Sequence, residues 1–370
     1  MLLRKNPRRG MLLVLVAAIS LVACYALLTL FGAASPSSAS LLSPLHSHFS
    51  LSRTSLPILV VFGDSWSDDA SRPSPADRAA RVEGNEFYAA KSSGGRRARR
   101  FGAGLGGRWT DGPVWPEYIC EAVGCADYLN LAVGGAKVTN NYVPSPVPDL
   151  VLQKDNFLAI KETDSTIVDK DGSPTDELAD NRRTLFVFWF GINDLIHYIS
   201  VLPTSGDRQR AVVSSVATLF DIATALAGRF PQSNFLFMSS IDVTLLPFWS
   251  ERMMANDLQL RKYKEVVRLS QTWRLEMTKH AGNWNSSIGS IQYWDANDWL
   301  ARSISGVAKN GFKNLKDTCF DHESKTLCPN PEKYFFWDQV HLTTAAHKDI
   351  AARLSRLDLW PSMSRYSDVT

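Results

Sequence analysis

The sequence predicts an α/β protein in which a parallel sheet is covered by helices on both faces. Short apolar runs alternate along the chain with longer segments of helical spacing. The apolar runs are unbroken, as in strands buried on both faces, and they are too short to be helices. The predicted strands are Ile58–Phe62, Tyr128–Leu131, Leu185–Phe190, Phe235–Ile241 and Ile288–Trp294. The predicted helices are Val114–Val123, Arg208–Phe230, Arg252–Lys279 and Thr343–Leu357.

The composition is that of a globular protein. Of the 370 residues, 45% are hydrophobic and 21% are charged, and the net charge is +3. These values exclude a globally disordered chain, and the small charge gives no basis for binding nucleic acid, which needs a clustered basic face. We expect one monomeric domain over residues 57–360, after a Ser/Pro-rich linker at 35–56 and before a C-terminal tail at 361–370.

The N-terminal segment, residues 1–34, indicates entry into the secretory pathway. An uncharged apolar stretch runs from Met11 to Ala34. It reaches the roughly 20 residues that span a bilayer, which favours a signal anchor with its basic flank in the cytoplasm. Small residues at Gly32–Ser35 leave open the alternative of a cleaved signal peptide. Either hypothesis places the rest of the chain in an oxidising compartment, membrane-anchored or secreted. The basic residues that precede the stretch are Arg4, Lys5, Arg8 and Arg9.

Cysteine usage agrees with an oxidising compartment. Cys24 lies inside the apolar segment, which leaves an even set of four cysteines. Four cysteines allow three pairings, and the short loops favour Cys120 with Cys125 and Cys319 with Cys328. Their spacing does not match a paired CxxC zinc site, so no metal is expected.

Two polar stretches depart from the alternation of strands and helices. Residues 70–108 form an insertion that holds six Lys/Arg and no acid between Lys91 and Arg108. We interpret it as a solvated surface insertion. Proteolytic processing at Arg96–Arg100 and contact with an acidic polymer or membrane surface are the alternatives. Residues 161–180 are predicted to be a second surface loop. A single sequon makes Asn285 a glycosylation candidate.

A serine follows the first predicted strand at a sharp turn. Gly63 and Asp64 separate Phe62 from Ser65, so Ser65 is expected at the carboxyl edge of the sheet, where active sites of parallel sheets lie. A helix beginning there would direct N–H groups and its positive dipole end towards the serine. Gly-Asp-Ser also occurs in ordinary turns, so this segment alone does not define a nucleophile.

An Asp–His pair near the C-terminus offers a partner for that serine. Asp338 precedes His341 by three residues, so its carboxylate can accept the Nδ1–H of the imidazole and leave Nε2 free for a hydroxyl proton. The alternatives are a surface pair or a helix cap. His347 is a second candidate base, but no acid closely precedes it, and we assign it to the surface or to packing.

Two further strand ends carry groups that suit stabilisation of an oxyanion. The segment Asn130–Ala136 ends in a glycine pair, and the backbone amide of Gly135 can approach a substrate closely. Asn193, in Gly191–Asp194, offers a side-chain amide. Taken singly, each is more simply a strand-to-loop turn. Taken together, the four segments are expected to meet at one edge of one sheet.

The order and content of these segments resemble the SGNH superfamily, and more narrowly the GDSL esterases and lipases. The resemblance covers about residues 58–357. It implies a flavodoxin-like three-layer α/β/α fold, without metal or organic cofactor. It also implies Ser65 as nucleophile and Asp338 and His341 as its triad partners. The oxyanion hole that it implies consists of the backbone amides of Ser65 and Gly135 and the Asn193 side chain.

Two segments narrow the resemblance to particular groups within the superfamily, and two other features depart from the family pattern. The segment Trp109–Trp115 before a helix, with Phe336-Trp337-Asp338, looks like fungal acetylesterases of carbohydrate esterase family sixteen and the plant GDSL group. Leu342 stands where the family usually has proline after the histidine, and the insertion at 70–108 would lie near the site's mouth. The first departure concerns the start of the next helix, and the second puts substrate preference in doubt.

The resulting hypothesis is a serine esterase acting on short acyl esters, mainly acetyl esters of carbohydrate. Lipid esters, acyl transfer to another sugar, and a catalytically silent binding protein are the alternatives. Aromatic side chains beside the segments could stack on sugars or hold acyl chains, although most are expected to be core residues. They are Trp66, Trp109, Trp115, Trp189 and Trp337.

Overall fold

The computed structural model describes residues 56–71, 108–166, 181–250, 257–306 and 311–361. The predicted signal segment, almost all of the linker, most of the basic insertion and all but the first residue of the C-terminal tail lie outside these residues.

Five parallel strands form the centre of the molecule. Every residue of the first, third and fourth strands is buried, which is why these segments are mostly unbroken apolar runs in the sequence. All five predicted strands are confirmed, with ends that differ by three residues at most. The strands are β1 (Ile58–Gly63), β2 (Asp127–Asn130), β3 (Thr184–Trp189), β4 (Asn234–Met238) and β5 (Ser290–Trp294).

The strand order in the sheet is β2-β1-β3-β4-β5, and every neighbouring pair is parallel. The chain moves outward from β1 to β2 on one side and then returns to place β3 on the other side. This is the flavodoxin-like order, and ligands of such sheets bind beyond the carboxyl ends of the strands at that switch point, here between β1 and β3. The predicted α/β fold is confirmed.

Helices flank the sheet. Helix α4 packs against α2, α3 and α6, while α1 packs against α8. Among the described helices, α4 alone is long and apolar enough to cross a membrane, and 56% of its most apolar stretch is buried in the fold. The helices are α1 (Trp115–Val123), α2 (Leu150–Thr166), α3 (Ile192–Val201), α4 (Ser205–Arg229), α5 (Pro247–Ser250), α6 (Asp257–Gly282), α7 (Ala296–Ile304) and α8 (Thr344–Leu354).

The polar segment 161–180 is not a loop throughout. Helix α2 continues to Thr166, because Phe157 and Ile160 are fully buried and hold this part of the chain against the core. Residues 167–180 lie outside the described residues. The sequence prediction of a loop is therefore wrong for residues 161–166.

A small second sheet lies near the C-terminus. It pairs β6 (Asn314–Thr318) with β7 (Tyr334–Phe336) in parallel. The apolar pattern did not predict β6, because its sequence is polar and its residues are half-buried or exposed. Strand β7 leads directly into the Asp–His segment.

Both predicted disulfides are confirmed. One joins Cys120 to Cys125 at the end of α1, and the other joins Cys319 to Cys328 in the loop between β6 and β7. The second disulfide therefore precedes β7, the strand that leads into the Asp–His segment.

Candidate active site

Ser65 lies in a tight turn directly after β1. The backbone carbonyl of Asp64 accepts hydrogen bonds from the N–H groups of Ser67 and Asp68, both at 3.0 Å. The Asp64 carboxylate accepts the N–H of Trp66 at 3.0 Å. The turn at residues 65–67 does not continue into a helix as far as Ser71, and the carboxylate of Asp68 accepts the N–H of Ala70 at 2.8 Å.

Gly63 and Gln153 fix the strand end that presents Ser65. A Cβ atom on Gly63 would lie 3.0 Å from the Ser67 side chain and 3.2 Å from the Trp189 carbonyl, so a larger residue would crowd the turn. The buried amide of Gln153, on α2, accepts the N–H of Gly63 at 3.0 Å and donates to its carbonyl at 2.9 Å. The sequence did not predict a role for Gln153, because this residue lies 90 positions from Gly63 in the chain and no local pattern links the two.

His341 is hydrogen-bonded to both Ser65 and Asp338. Its Nε2 lies 3.0 Å from the Ser65 Oγ, and its Nδ1 lies 2.9 Å from each carboxylate oxygen of Asp338. An ionised carboxylate only accepts hydrogen bonds, so Nδ1 carries the proton and Nε2 can accept the serine hydroxyl. The structure thus brings together the three residues predicted to form a triad.

Asp338 is held in its ionised form. Burial would raise its pKa, but the neighbouring imidazole of His341 and several hydrogen bonds outweigh burial and hold the pKa well below the usual range. The donors include the backbone N–H groups of Val340 and His341, both at 2.8 Å. A second imidazole, the Nε2 of His322, lies 3.0 Å from Oδ2.

The loop that carries this pair is attached to the turn at Ser65. The indole N–H of Trp66 donates to the carbonyl of Val340 at 3.2 Å, and the N–H of Trp337 donates to the carbonyl of His341 at 2.8 Å. Leu342 is fully buried, and Thr343 caps α8 by accepting the N–H of Ala346. Leucine in place of the usual proline therefore leaves α8 with a regular capped start.

The loop after β2 lies alongside the end of β1. The N–H of Val133 donates to the carbonyl of Gly63 at 3.1 Å, and the N–H of Gly134 donates to the carboxylate of Asp68 at 2.7 Å. Gly135 has a φ of +85°, which favours glycine. Among the described residues, the N–H groups of Ser65 and Gly135 donate to no protein acceptor. Both amides remain free to donate to a substrate.

Asn193 lies in the first turn of α3, directly after β3. Its side-chain amide donates to the carbonyl of Ala136 at 3.1 Å, which ties it to the loop that carries Gly135. The neighbouring Asp194 is fully buried and accepts the N–H of Val138, and burial raises the pKa of this carboxyl to about 7. The loops after β2 and β3 are thereby joined at the switch point of the sheet.

Trp109 lies over the imidazole of His341. The two rings stack with centroids 4.9 Å apart and an interplanar angle of 27°. Asp111, two residues further on, accepts the N–H of Thr344 at 2.6 Å, which attaches this segment to the start of α8. Trp109 is half-buried, whereas the other four tryptophans beside the predicted segments are buried. The sequence singled out this segment but did not place it on the histidine.

His347 packs inside the fold. It is 1% exposed, and burial lowers the pKa of its imidazole to about 3. A buried, neutral imidazole on α8 agrees with a packing role rather than with a second base.

The fold and these contacts define an α/β protein with a hydrogen-bonded Ser–His–Asp series at the switch point of a parallel sheet. Residues 59–354 match the family described as GDSL-like Lipase/Acylhydrolase. The chain belongs to this family of ester hydrolases.

The individual relatives share little sequence identity with this chain. The thermolabile hemolysin of Vibrio parahaemolyticus serotype O3:K6 (strain RIMD 2210633) is 26% identical in an alignment of 264 residues that covers 67% of this chain and 55% of the hemolysin. The chain thus spans about half the length of this curated relative. A phospholipase A1 from Streptomyces albidoflavus NA297 is 12% identical, covers 81% of this chain and 99% of its own, and has a TM-score of 0.37. An extracellular lipase from Streptomyces rimosus is 13% identical, with the same coverages and a TM-score of 0.38.

Proposed function

We propose that this protein is a serine esterase in which Ser65 attacks the ester carbonyl. The observation that carries this proposal is the continuous series of hydrogen bonds from the Ser65 Oγ through His341 to Asp338, with distances of 3.0 Å and 2.9 Å. Serine is a weak nucleophile unless a base takes its proton, and an imidazole oriented by a carboxylate is the usual base.

In the first step, the Nε2 of His341 takes the hydroxyl proton as the Ser65 oxygen bonds to the carbonyl carbon. The carbonyl oxygen becomes an oxyanion, which the amides of Ser65 and Gly135 and the side chain of Asn193 stabilise. The imidazolium then gives its proton to the departing alcohol, and the acyl group remains on Ser65.

In the second step, water replaces the alcohol. His341 takes a proton from the water, whose oxygen attacks the acyl carbon, and the oxyanion forms again in the same place. Collapse breaks the bond to Ser65, and His341 returns the proton to the serine oxygen. The ionised Asp338 stabilises the imidazolium in both steps and stays unprotonated.

The proposed substrates are short acyl esters, mainly acetyl esters of carbohydrate. The half-buried indole of Trp109 next to His341 offers an aromatic face for a sugar ring close to the reacting atoms. Lipid esters are the second candidate, since the family description includes lipases and acylhydrolases. Either substrate fits an oxidising compartment, and the two disulfides support a chain that enters the secretory pathway.

A fluorophosphonate probe tests the nucleophile. We expect the wild-type protein to be labelled and to hydrolyse p-nitrophenyl acetate, and we expect Ser65→Ala to lose both properties. Ser200→Ala, on the exposed face of α3, is the matched control and keeps both. Wild-type turnover by a folded Ser65→Ala protein would remove the basis of the proposal.

A chain-length series tests the substrate class. We expect kcat/KM to be highest for acetyl and to fall as the acyl group lengthens, and acetylated oligosaccharides to be deacetylated. A preference for long-chain esters would replace the acetylesterase proposal with the lipid one and leave the role of Ser65 intact.

A further inference from the structure

A second imidazole contacts the carboxylate of Asp338. The Nε2 of His322 lies 3.0 Å from Oδ2, on the oxygen opposite to the one that accepts the N–H groups of Val340 and His341. Because the carboxylate is ionised, His322 must donate this hydrogen bond and therefore carries its proton on Nε2. Both oxygens of Asp338 are thereby held.

His322 is part of a loop that the second disulfide closes. Cys319 and Cys328 are bonded, and the N–H of Cys328 donates to the carbonyl of Cys319 at 2.7 Å. Inside the loop, the N–H of Asp321 donates to the carbonyl of Thr326 at 3.0 Å. These bonds form a small closed hairpin, residues 319–328, which we call the His322 loop.

The His322 loop is fixed to the residues that precede Asp338. The N–H of Cys319 donates to the carbonyl of Phe336 at 3.0 Å, and the N–H of Phe320 donates to the carbonyl of Trp337 at 2.7 Å. The Phe320 ring stacks on Trp337 with centroids 5.2 Å apart and meets the imidazole of His322 edge-on at 4.8 Å. The loop is therefore fixed on the same piece of chain that positions Asp338.

We infer that His322 is a positioning residue for acyl transfer, held in place by the Cys319–Cys328 disulfide. Its hydrogen bond prevents the carboxylate of Asp338 from rotating, so that both oxygens stay directed at the Nδ1 of His341. It also shares the negative charge of this carboxylate with His341, which affects the pH dependence of the base, whereas the fixed orientation of the carboxylate determines the rate. This inference rests on the proposed esterase function.

The alternative is that His322 and Asp338 form an ordinary surface ion pair, since the His322 side chain is 40% exposed. Such pairs contribute little to stability. Asp338, however, is only 5% exposed, and it is hydrogen-bonded directly to His341, the proposed base. Among the described residues, the charged groups that interact with His322 are Asp338 and, on its own loop, Asp321. His341 lies on the far side of the shared carboxylate.

Two substitutions separate positioning from packing. His322→Phe keeps a ring against Phe320 but removes the donor, and His322→Gln keeps an N–H donor at similar reach. We expect His322→Phe to lower kcat about tenfold with little change in KM, which is a loss of transition-state stabilisation alone. The acid limb of its kcat/KM profile should move to higher pH, because the charge of Asp338 is no longer shared. His322→Gln should recover most of kcat.

Removal of the Cys319–Cys328 disulfide tests the same inference independently. The double variant Cys319→Ser with Cys328→Ser should lose about as much kcat as His322→Phe. The matched control, Cys120→Ser with Cys125→Ser, removes the disulfide of α1 and should keep wild-type kcat. Circular dichroism and melting temperature establish that each variant is folded.

The outcomes distinguish the two proposals. If Ser65→Ala is inactive but His322→Phe matches the wild type in kcat and pH profile, the positioning role is wrong and the esterase stands. Equal losses in His322→Phe and His322→Gln also contradict the role of the donor. If Ser65→Ala keeps its activity, the esterase proposal itself fails.

Discussion

Asn193 has two amide protons, and one of them is already committed. Its Nδ2 donates to the carbonyl of Ala136, which fixes the orientation of the side chain and leaves the second N–H to point elsewhere. A donor held in this way needs no reorganisation when an oxyanion forms, which is the condition for a large effect on the rate.

We therefore predict that Asn193→Ala lowers kcat by roughly 10²–10³ and leaves folding intact. The loss arises because the transition state loses a donor that the ground state uses weakly. Steady-state kinetics on p-nitrophenyl acetate measure it. Asn141→Ala, at an exposed position in the loop after β2, is the control and should match the wild type. Equal kcat in both variants would exclude Asn193 from the oxyanion hole.

At the residue scale, the sequence predicted those contacts that local spacing encodes. Asp338 and His341 are three residues apart, so one turn joins them. Gln153 and Trp109 lie far along the chain from the atoms they touch, and no local pattern connects a glutamine in a helix with Gly63 or a tryptophan with a distant histidine. Such contacts exist only once the strands are ordered in the sheet.

At the scale of elements, the start of α3 depends on one glycine. Gly191 is the N-cap of this helix, with a φ of +123° that few residues other than glycine adopt. A Cβ atom there would lie 2.5 Å from the Cβ of Ser240 and 3.0 Å from the ring of Trp273. The glycine thus sets both the direction in which α3 leaves the sheet and the place of Asn193.

We predict that Gly191→Ala destabilises the fold by about 2 kcal/mol or more, through backbone strain and overlap. It should also lower kcat, since the first turn of α3 must shift. Gly228→Ala is the matched control, because Gly228 lies in α4 and a Cβ atom added there would enter open space. There we expect a gain of about 0.5 kcal/mol from helix propensity. Urea unfolding of both variants measures the difference, and equal stabilities would contradict this account.

The buried strands could be predicted from the sequence, whereas α3 and β6 could not, because only the buried strands have a continuous apolar pattern. Strands buried on both faces must be apolar along their whole length, and the sequence displays this directly. Helix α3 carries its apolar face in only ten residues, directly after a strand, and was not distinguished from a turn. Strand β6 has no fully buried residue, so its sequence lacks the apolar pattern that would predict a strand.

At the scale of the whole molecule, the strand order decides where the chemistry lies. The loops after β1, β2 and β3 come from chain positions up to 128 residues apart, Ser65 to Asn193, and parallel pairing brings them to one edge. The sequence predicted this convergence because parallel strands share a carboxyl edge. It could not reveal that the His322 loop also reaches that edge, since β6 and β7 form a separate sheet.

Two carboxyls buried beneath that edge link stability to pH. Asp64 is 2% exposed and Asp194 is fully buried. Burial raises the pKa of each to about 7, and the neighbouring carboxylate of Asp194 adds to the rise in the pKa of Asp64. In the unfolded chain these groups ionise near their ordinary pKa of about 3.9. The folded state therefore holds extra protons between these values, and its stability falls as pH rises through that interval.

We predict that raising the pH from 5 to 8 removes about 2–3 kcal/mol of unfolding free energy through the Asp64 carboxyl alone. Asp64→Asn keeps an oxygen to accept the N–H of Trp66 but cannot ionise, so its stability should change less over the same interval. Urea unfolding at both pH values measures the two slopes. Asp221→Asn removes the same charge from the exposed face of α4 and should follow the wild type. If Asp64→Asn and the wild type lose equal stability between pH 5 and 8, Asp64 is already ionised in the folded protein and the buried pair does not control its pH response.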